Sequence, residues 1–166
     1  MLKGLIAISK LKFPSGTCGR DIDAFARAPL WEAGQDFAHG TGHGVGHYLS
    51  VHEGPHRISK FSDVAFKEGM IVSNEPGFYH EGKFGIRIEN LILVQKSEME
   101  PSNSFLEFET LSFVPIDRRL ISVRLLNEHE IEWINNYHLQ CWEKVHNKVD
   151  TKTQAWLENM TKPIEK

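Results

Sequence analysis

The chain has few cysteines, no excess of positive charge and no long apolar run. Its 166 residues include only two cysteines, which form no disulfide framework and indicate a reducing, cytoplasmic compartment. The formal net charge of −3, without a basic stripe, argues against nucleic acid as a partner. No segment approaches the roughly 18 apolar residues that a membrane span needs, so no membrane partner is expected. With 40% hydrophobic residues, the chain has enough apolar side chains to bury a core.

Helical patterns dominate the first thirty or so positions. Apolar residues recur at helical spacing over 2–13, and a proline and a glycine directly afterwards predict the end of this first helix. A second helix is predicted from about Gly19 to Trp31, and Pro29 is expected to kink or restart it. A glycine-rich segment follows at 40–46, where the backbone can bend sharply.

Strand patterns occupy the middle of the chain. Residues 69–97 contain two strand-like runs, at 70–73 and 84–94, joined through a turn at 80–83. Another strand is predicted at 110–116. Together with the helices, these runs favour the α+β class.

The last third of the chain returns to helix. Asn127, with a glutamate three residues later, predicts a helix N-terminus. The apolar stripe of this long helix consists of Ile131, Ile134, His138, Cys141 and Val145. We therefore predict one domain at 1–125, followed by a helical C-terminal extension at 126–166.

Histidines and carboxylates concentrate between residues 39 and 89. His43 is the strongest candidate for a metal ligand, because a glycine on each side clears space around its imidazole. Glu75 and Glu89 lie in or beside predicted strands, from which carboxylates can converge on one ion. Arg87 lies two residues before Glu89 on the same strand face, where it can keep a ligating carboxylate ionised or bind an anionic group. One imidazole with carboxylates suits Mn²⁺, Co²⁺ or Zn²⁺.

Two other kinds of site fit the sequence poorly. A dinucleotide-binding loop needs a third glycine after Gly40 and Gly42, where the chain has Val45, and no βαβ unit surrounds this segment. A structural zinc site prefers cysteines in close pairs, whereas Cys18 and Cys141 are far apart in the sequence. The metal site built from histidine and carboxylates is therefore preferred.

The other titratable residues are interpreted as structural or facing solvent. Asp21 and Asp23, two apart in the second predicted helix, are interpreted as charges on its surface. Cys141 lies on an apolar stripe and is assigned to the core rather than to a nucleophile. Loop, helix-face or surface positions are assigned to His47, His56, His80, His129, His138 and His146.

Four ordered motifs carry a resemblance to a known family. They are HGTGHGVG at 39–46, VHEGP at 51–55, NEPG at 74–77 and GIRIEN at 85–90. With these motifs the chain resembles aminopeptidase P, the Xaa-Pro aminopeptidases of the pita-bread metallopeptidase family M24, and above all their eukaryotic cytosolic type. The resemblance covers nearly the whole chain, from DAFAR at 23–27 to WINNYH at 133–138. It implies the C-terminal half of a pita-bread fold.

The resemblance assigns a role to each candidate site residue. The residues that match the family's metal ligands are His43, Glu75 and Glu89. His39 and His52 match the two histidines that family members use for substrate binding and proton transfer, and Arg87 matches the arginine beside the last ligand. In such enzymes two Mn²⁺ ions, with Zn²⁺ or Co²⁺ as alternatives, support cleavage of the peptide bond before a proline in the second position. Glu75 would act as general base, and His52 would stabilise the tetrahedral intermediate.

The resemblance also exposes a departure from the family pattern. Family members bind their two ions with two further aspartates, and the chain has no matching pair before His43. We therefore expect it to lack the N-terminal part of the enzyme, to bind at most one divalent ion weakly, and to have little or no peptidase activity alone. The expected partners are a peptide substrate with proline in the second position, the missing N-terminal part and, in the intact enzyme, a second copy in a homodimer.

Two alternatives stay open. The chain could be a non-catalytic binding module of the same fold, or it could come from a sibling peptidase such as prolidase or methionine aminopeptidase. Retention of His43, Glu75 and Glu89 together with His39 and His52 argues for a working parent enzyme. The segments at 108–116 and 133–138 favour aminopeptidase P over its siblings.

Overall fold

The chain folds into two compact units. The structure, a computed structural model, describes residues 1–48, 50–99 and 104–166. One unit consists of residues 1–112 and the other of residues 113–166. Helices and antiparallel sheets occur together, which confirms the predicted α+β class. Within the described ranges, no helix is both long enough and apolar enough to cross a membrane.

Two helices open the first unit. α1 spans Leu2–Ser9 and α2 spans Gly19–Trp31. The prediction of α2 is confirmed, and helical hydrogen bonding continues past Pro29, so the helix does not restart there. The first helix is shorter than predicted, because Lys12–Pro14 form strand β1 and bury Phe13 in the sheet. A short apolar run fits either element by its spacing, and pairing with a distant strand decides between them.

The strands form one four-stranded antiparallel sheet and two strand pairs. They are β1 (Lys12–Pro14), β2 (Gly42–His43), β3 (Arg57–Ile58), β4 (Ile71–Asn74), β5 (Gly77–His80), β6 (Phe84–Arg87), β7 (Asn90–Lys96) and β8 (Phe105–Thr110). The sheet has the order β1-β8-β7-β4, while β2 pairs with β3 and β5 with β6. The predicted run 84–94 is therefore divided between two sheets. The strand predicted at 110–116 is wrong beyond Thr110, where β8 ends after pairing with β7.

The core of the first unit combines side chains of the helices and the four-stranded sheet. Three phenylalanines, Phe13, Phe66 and Phe108, pack together with ring centroids 5.0 to 5.8 Å apart. Ile22 of α2 and Val72 of β4 are buried in the same cluster. Burial of these apolar groups is the main contribution to stability, so β4 provides a rigid base for the residues that follow it.

The second unit is built on two helices. α3 spans Glu128–Val145 and α4 spans Thr151–Met160. The predicted N-terminus of α3 is confirmed, since the Asn127 side chain accepts from the Glu130 N–H and the Glu130 carboxylate accepts from the Asn127 N–H. The domain division predicted after residue 125 stays a prediction.

His138 lies on the predicted apolar stripe of α3, and its assignment to a surface position is wrong. Its side chain is fully buried in the second unit, and its Nε2 accepts a hydrogen bond from the Ile116 N–H at 3.1 Å. Burial lowers the pKa of His138 to about 4. Cys141 is also fully buried, as predicted, and burial raises the pKa of its free thiol to about 11.

Candidate metal centre

Close backbone packing places His43 beside the buried strand β4. The residue after it, Gly44, forms a bridge to Val72 of that strand. At Gly42 a Cβ would lie 1.8 Å from the carbonyl oxygen of Ser73, so only glycine permits this approach. The Ser73 hydroxyl in turn accepts a hydrogen bond from the His43 N–H at 2.9 Å. The glycines of the 39–46 motif therefore bring the histidine to the strand as well as clearing space around it.

Glu75 and Glu89 reach the same place from either side of the β5–β6 hairpin. Glu75 follows β4 directly, and its N–H donates to the Thr41 carbonyl at 2.8 Å. The hairpin then returns the chain, with Arg87 paired opposite Gly77. Glu89 lies between β6 and β7 rather than within one strand, so the expectation that it continues the strand of Arg87 is wrong. The side chains of Arg87 and Glu89 nevertheless both approach Glu75.

The side chains of His43, Glu75 and Glu89 converge. One ligand atom of each lies within 4.8 Å of the others, and these three residues are the one such group within the described part of the chain. His43 Nδ1 lies 3.0 Å from the Gly44 carbonyl, which can only accept, so Nδ1 carries the proton. In the neutral imidazole Nε2 is then the nitrogen without a proton, and it lies 3.3 Å from Glu75 Oε1.

This arrangement of acceptors fits a divalent cation. Two lone pairs facing each other at 3.3 Å repel unless a proton or a cation lies between them. Glu75 is 6% exposed, so solvent relieves little of that repulsion. A carbonyl that fixes the tautomer of a histidine is also the usual outer partner of a metal-binding imidazole. Nitrogen and carboxylate oxygens together suit Mn²⁺, Co²⁺ or Zn²⁺.

A chain of hydrogen bonds links the cluster to His39. Arg87 donates to Glu75 Oε2 at 2.7 Å and to the Tyr79 hydroxyl at 2.9 Å. The hydrogen bond to Tyr79 is the main cause that raises the pKa of Arg87, and the nearby carboxylates add to it. Having accepted from Arg87, the Tyr79 hydroxyl donates to His39 Nε2, 2.9 Å away. His39 Nδ1 in turn donates to the Gly40 carbonyl at 2.7 Å.

Tyr79, in the middle of this chain of hydrogen bonds, is not among the site residues predicted from the sequence motifs. It lies on β5, which the sequence patterns do not predict. In the hairpin that forms around the predicted turn, Tyr79 lies opposite Gly85, and Arg87 follows two residues later on the partner strand. The turn is therefore the signal that could have found it.

A cavity of about 370 Å³ opens beside the candidate ligands. Its walls include all the predicted site residues except Glu89: His39, His43, His52, Glu75 and Arg87. The His52 ring lies 4.1 Å from that of His43, centroid to centroid. Arg57 also lines the cavity, although no motif points to it. The site residues predicted from the sequence thus meet around one space large enough for a small ligand.

The two helix aspartates differ from each other. Asp21 is exposed and accepts from the Cys18 N–H at the start of α2, as expected of a residue in the first turn. Asp23 is only 3% exposed, so its predicted surface position is wrong. It is buried because Arg27, one helical turn later, neutralises it through an Nε–Oδ2 contact of 2.7 Å.

Family profiles match most of the chain. That of metallopeptidase family M24 matches residues 1–96, and that of the C-terminal region of peptidase M24 matches residues 104–164. The chain belongs to metallopeptidase family M24. This membership confirms the pita-bread fold and the resemblance predicted from the four motifs.

Relatives within family M24 are similar over the full chain. A probable Xaa-Pro aminopeptidase P of Laccaria bicolor is 48% identical over 99% of this chain and 27% of its own length. One of Aspergillus niger is 47% identical over 100% of this chain and 28% of its own length. The chain therefore spans little more than a quarter of the length of these relatives.

Solved structures of family M24 show the same fold. The X-prolyl aminopeptidase of Caenorhabditis elegans, a cytosolic enzyme with a di-nuclear active site, matches with a TM-score of 0.91 and 40% identity. That match covers 98% of this chain and 28% of the nematode protein. The Xaa-Pro dipeptidase of Bacillus anthracis matches with a TM-score of 0.57 and 33% identity, over 70% of this chain and 30% of that protein.

Proposed function

We propose that this chain carries part of the metal site of a Xaa-Pro aminopeptidase, which releases the N-terminal residue from peptides with proline in the second position. The observation that carries the proposal is the pair of facing acceptors, His43 Nε2 and Glu75 Oε1, 3.3 Å apart beside Glu89. The relatives named as Xaa-Pro aminopeptidases P, at 47 and 48% identity, support the substrate class.

His43, Glu75 and Glu89 would hold a divalent ion, which supplies a Lewis acid and an activated nucleophile near neutral pH. Mn²⁺ is the proposed ion, with Zn²⁺ and Co²⁺ as alternatives, because the ligands are carboxylate oxygens and one imidazole. The described residues offer three ligands in one cluster, and three protein ligands suffice for a single ion. We therefore propose that the chain alone binds at most one ion, weakly, and has little or no peptidase activity.

The chain's own residues would handle protons and orientation. Arg87 donates to Glu75 Oε2 and orients the carboxylate, and Glu75 would act as general base. Tyr79 donates to His39 Nε2 and thereby orients that imidazole at the cavity. His52 lies against His43 and would donate to the oxyanion that develops on the substrate carbonyl.

A metal titration tests the site directly. We propose isothermal titration of the chain with Mn²⁺, Zn²⁺ and Co²⁺, with Glu75→Gln as the variant and Glu109→Gln, an exposed glutamate on β8, as the matched control. The expected result is one weak site that loses at least about tenfold in affinity in Glu75→Gln and is unchanged in the control. Equal affinity in both variants would refute the assignment of Glu75 as a ligand. Two tightly bound ions would refute the single-ion proposal.

Substrate assays separate the alternatives. The relatives that are similar over the full chain are named as Xaa-Pro aminopeptidases P, which favours longer peptides over dipeptides. On a full-length relative, cleavage of Xaa-Pro-Xaa peptides in preference to Xaa-Pro dipeptides is the expected outcome, and the reverse preference would indicate a prolidase. Lack of cleavage together with tight peptide binding would indicate a binding module. A cytosolic location is proposed because the nematode relative is a cytosolic enzyme.

A further inference from the structure

A buried ion pair outside the metal centre contacts the segment that carries His39. Asp23 and Arg27, on α2, are 3% and 7% exposed. Arg27 Nε lies 2.7 Å from Asp23 Oδ2, and its Nη2 lies 3.4 Å from Asp23 Oδ1. Two charges are costly to bury unless each has partners for all its hydrogen-bonding groups. The identity of those partners therefore indicates what the pair does.

Arg27 gives its remaining donors to the loop 36–41. Its Nη1 donates to the Asp36 carboxylate at 2.8 Å and to the Phe37 carbonyl at 2.7 Å. Its Nη2 donates to the His39 carbonyl at 2.7 Å. With the two bonds to Asp23, these contacts use all five N–H groups of the guanidinium. The guanidinium also lies 4.0 Å from the centroid of the Phe37 ring, which packs 4.8 Å from the His39 ring.

Asp23 holds the other end of the same loop. Its Oδ1 accepts from the Thr41 hydroxyl at 2.7 Å, and Thr41 is fully buried. His39 therefore lies between Phe37 and Thr41, and both of these residues hydrogen-bond to side chains of α2. The Thr41 carbonyl accepts from the Glu75 N–H at 2.8 Å, so the loop is also attached to the candidate metal centre.

We propose that Asp23 and Arg27 are positioning residues that hold the His39 imidazole at the cavity, where it meets the Tyr79 hydroxyl. The proposal rests on the proposed function in so far as His39 is taken to face the substrate. A guanidinium serves this purpose because its five N–H groups reach two carboxylates, of Asp23 and Asp36, and two carbonyls at once. Lysine keeps the charge but offers only three donors from a single nitrogen, so it cannot hold all four acceptor groups.

Arg27→Lys is the first test, with Arg20→Lys on the same helix as its matched control, since the Arg20 side chain is 58% exposed. The measurement is the imidazole ¹H–¹⁵N spectrum of the metal-free chain, with His39 identified by the signal that His39→Gln removes. We expect the His39 signal to shift by more than its linewidth, or to broaden, in Arg27→Lys and to stay in place in the control. His56 should stay in place in both, because its Nε2 is held by the Ile71 carbonyl at 2.7 Å.

A second pair of variants keeps the test decisive if Arg27→Lys does not fold. Thr41→Val removes the hydroxyl that donates to Asp23, whereas Thr41→Ser keeps it. The His39 signal should move in the valine variant and return in the serine variant. An unmoved His39 signal in Thr41→Val would refute the proposal. So would joint movement of His39 and His56, which would indicate general loss of packing in the first unit.

The outcome is independent of metal binding. Because the spectra are recorded without metal, a chain that fails the Mn²⁺ titration but shows the His39 response would refute the proposed function and keep the positioning role. Mn²⁺ binding as expected, without a His39 response, would refute the positioning role and keep the proposed function.

Discussion

Acidification should destabilise the second unit through one buried imidazole, that of His138. The neutral ring accepts from the Ile116 N–H at 3.1 Å, and a protonated ring can no longer accept at Nε2. Burial first, and the positive charge of Arg118 second, lower the pKa of His138 from 6.5 to about 4. Folding therefore favours the neutral form.

The direction and size of the effect follow from this pKa difference. Because the folded pKa lies below the unfolded one, the unfolded chain binds more protons between the two values, and the free energy of unfolding falls as the pH falls through that window. Above pH 6.5 the contribution is constant. Linkage predicts a loss of about 2 kcal/mol between about pH 7.5 and about pH 5, and of about 3 kcal/mol once the pH is below both pKa values.

Urea unfolding at about pH 7.5 and about pH 5, followed by tryptophan fluorescence, measures this loss. A Trp31→Phe background removes the fluorescence of the first unit. The tryptophans that then report on the second unit are Trp133, Trp142 and Trp156. His138→Gln supplies a side chain that does not titrate, and His129→Gln, at an exposed position of the same helix, is the matched control.

The His138 contribution is the pH-dependent loss that the wild type shows and His138→Gln does not. We expect this excess loss to be about 2 kcal/mol in the wild type and in His129→Gln. If His138→Gln loses as much stability on acidification as the wild type does, the reasoning from the buried neutral imidazole is refuted.

Three further predictions concern the site and the helices. Arg87→Met should weaken Mn²⁺ binding about 10- to 100-fold, because the neighbouring carboxylate loses its partner; unchanged affinity by titration would contradict this. Gly42→Ala should cost about 1–3 kcal/mol in urea unfolding, since its Cβ would meet Ser73, whereas Gly54→Ala, where the Cβ meets open space, serves as control. Asn127→Ala should lower the free energy of unfolding of the second unit by about 1 kcal/mol, and an unchanged value would show that the capping box contributes nothing.

Local patterns in the chain predicted several elements and most of the candidate site. The bounds of α2 and the capping box of α3 follow from apolar spacing and from side chains that bond to their own neighbouring backbone. The candidate ligands His43, Glu75 and Glu89 could be selected because a metal site requires these residue types, and the motifs hold them in a fixed order. Such features depend on neighbouring residues or on residue chemistry, and both can be predicted from a sequence.

Other features depend on partners far along the chain and could not be predicted in this way. The sequence pattern predicts Phe13 as helical, but in the structure it lies in a strand paired with β8, more than ninety positions later in the chain. The sequence pattern predicts Asp23 as a surface charge, but Arg27 and Thr41 form hydrogen bonds with it and allow its burial. His138 is predicted at a surface position, but it is buried where it accepts a hydrogen bond from the Ile116 N–H. Burial of a polar group is decided by whether a partner is available, and spacing along one helix does not reveal that partner.

The family, the helices with strong local signals and the candidate metal ligands can be predicted from the sequence, because they depend on residue type and order. The geometry of the candidate ligand cluster depends on the folded unit. Folding set His43 Nε2 against Glu75 Oε1, inserted Tyr79 between Arg87 and His39, and tied the His39 loop to a buried ion pair on α2. Distances between side chains from separate elements arise from packing and pairing of the whole unit, so they exist only once the chain has folded.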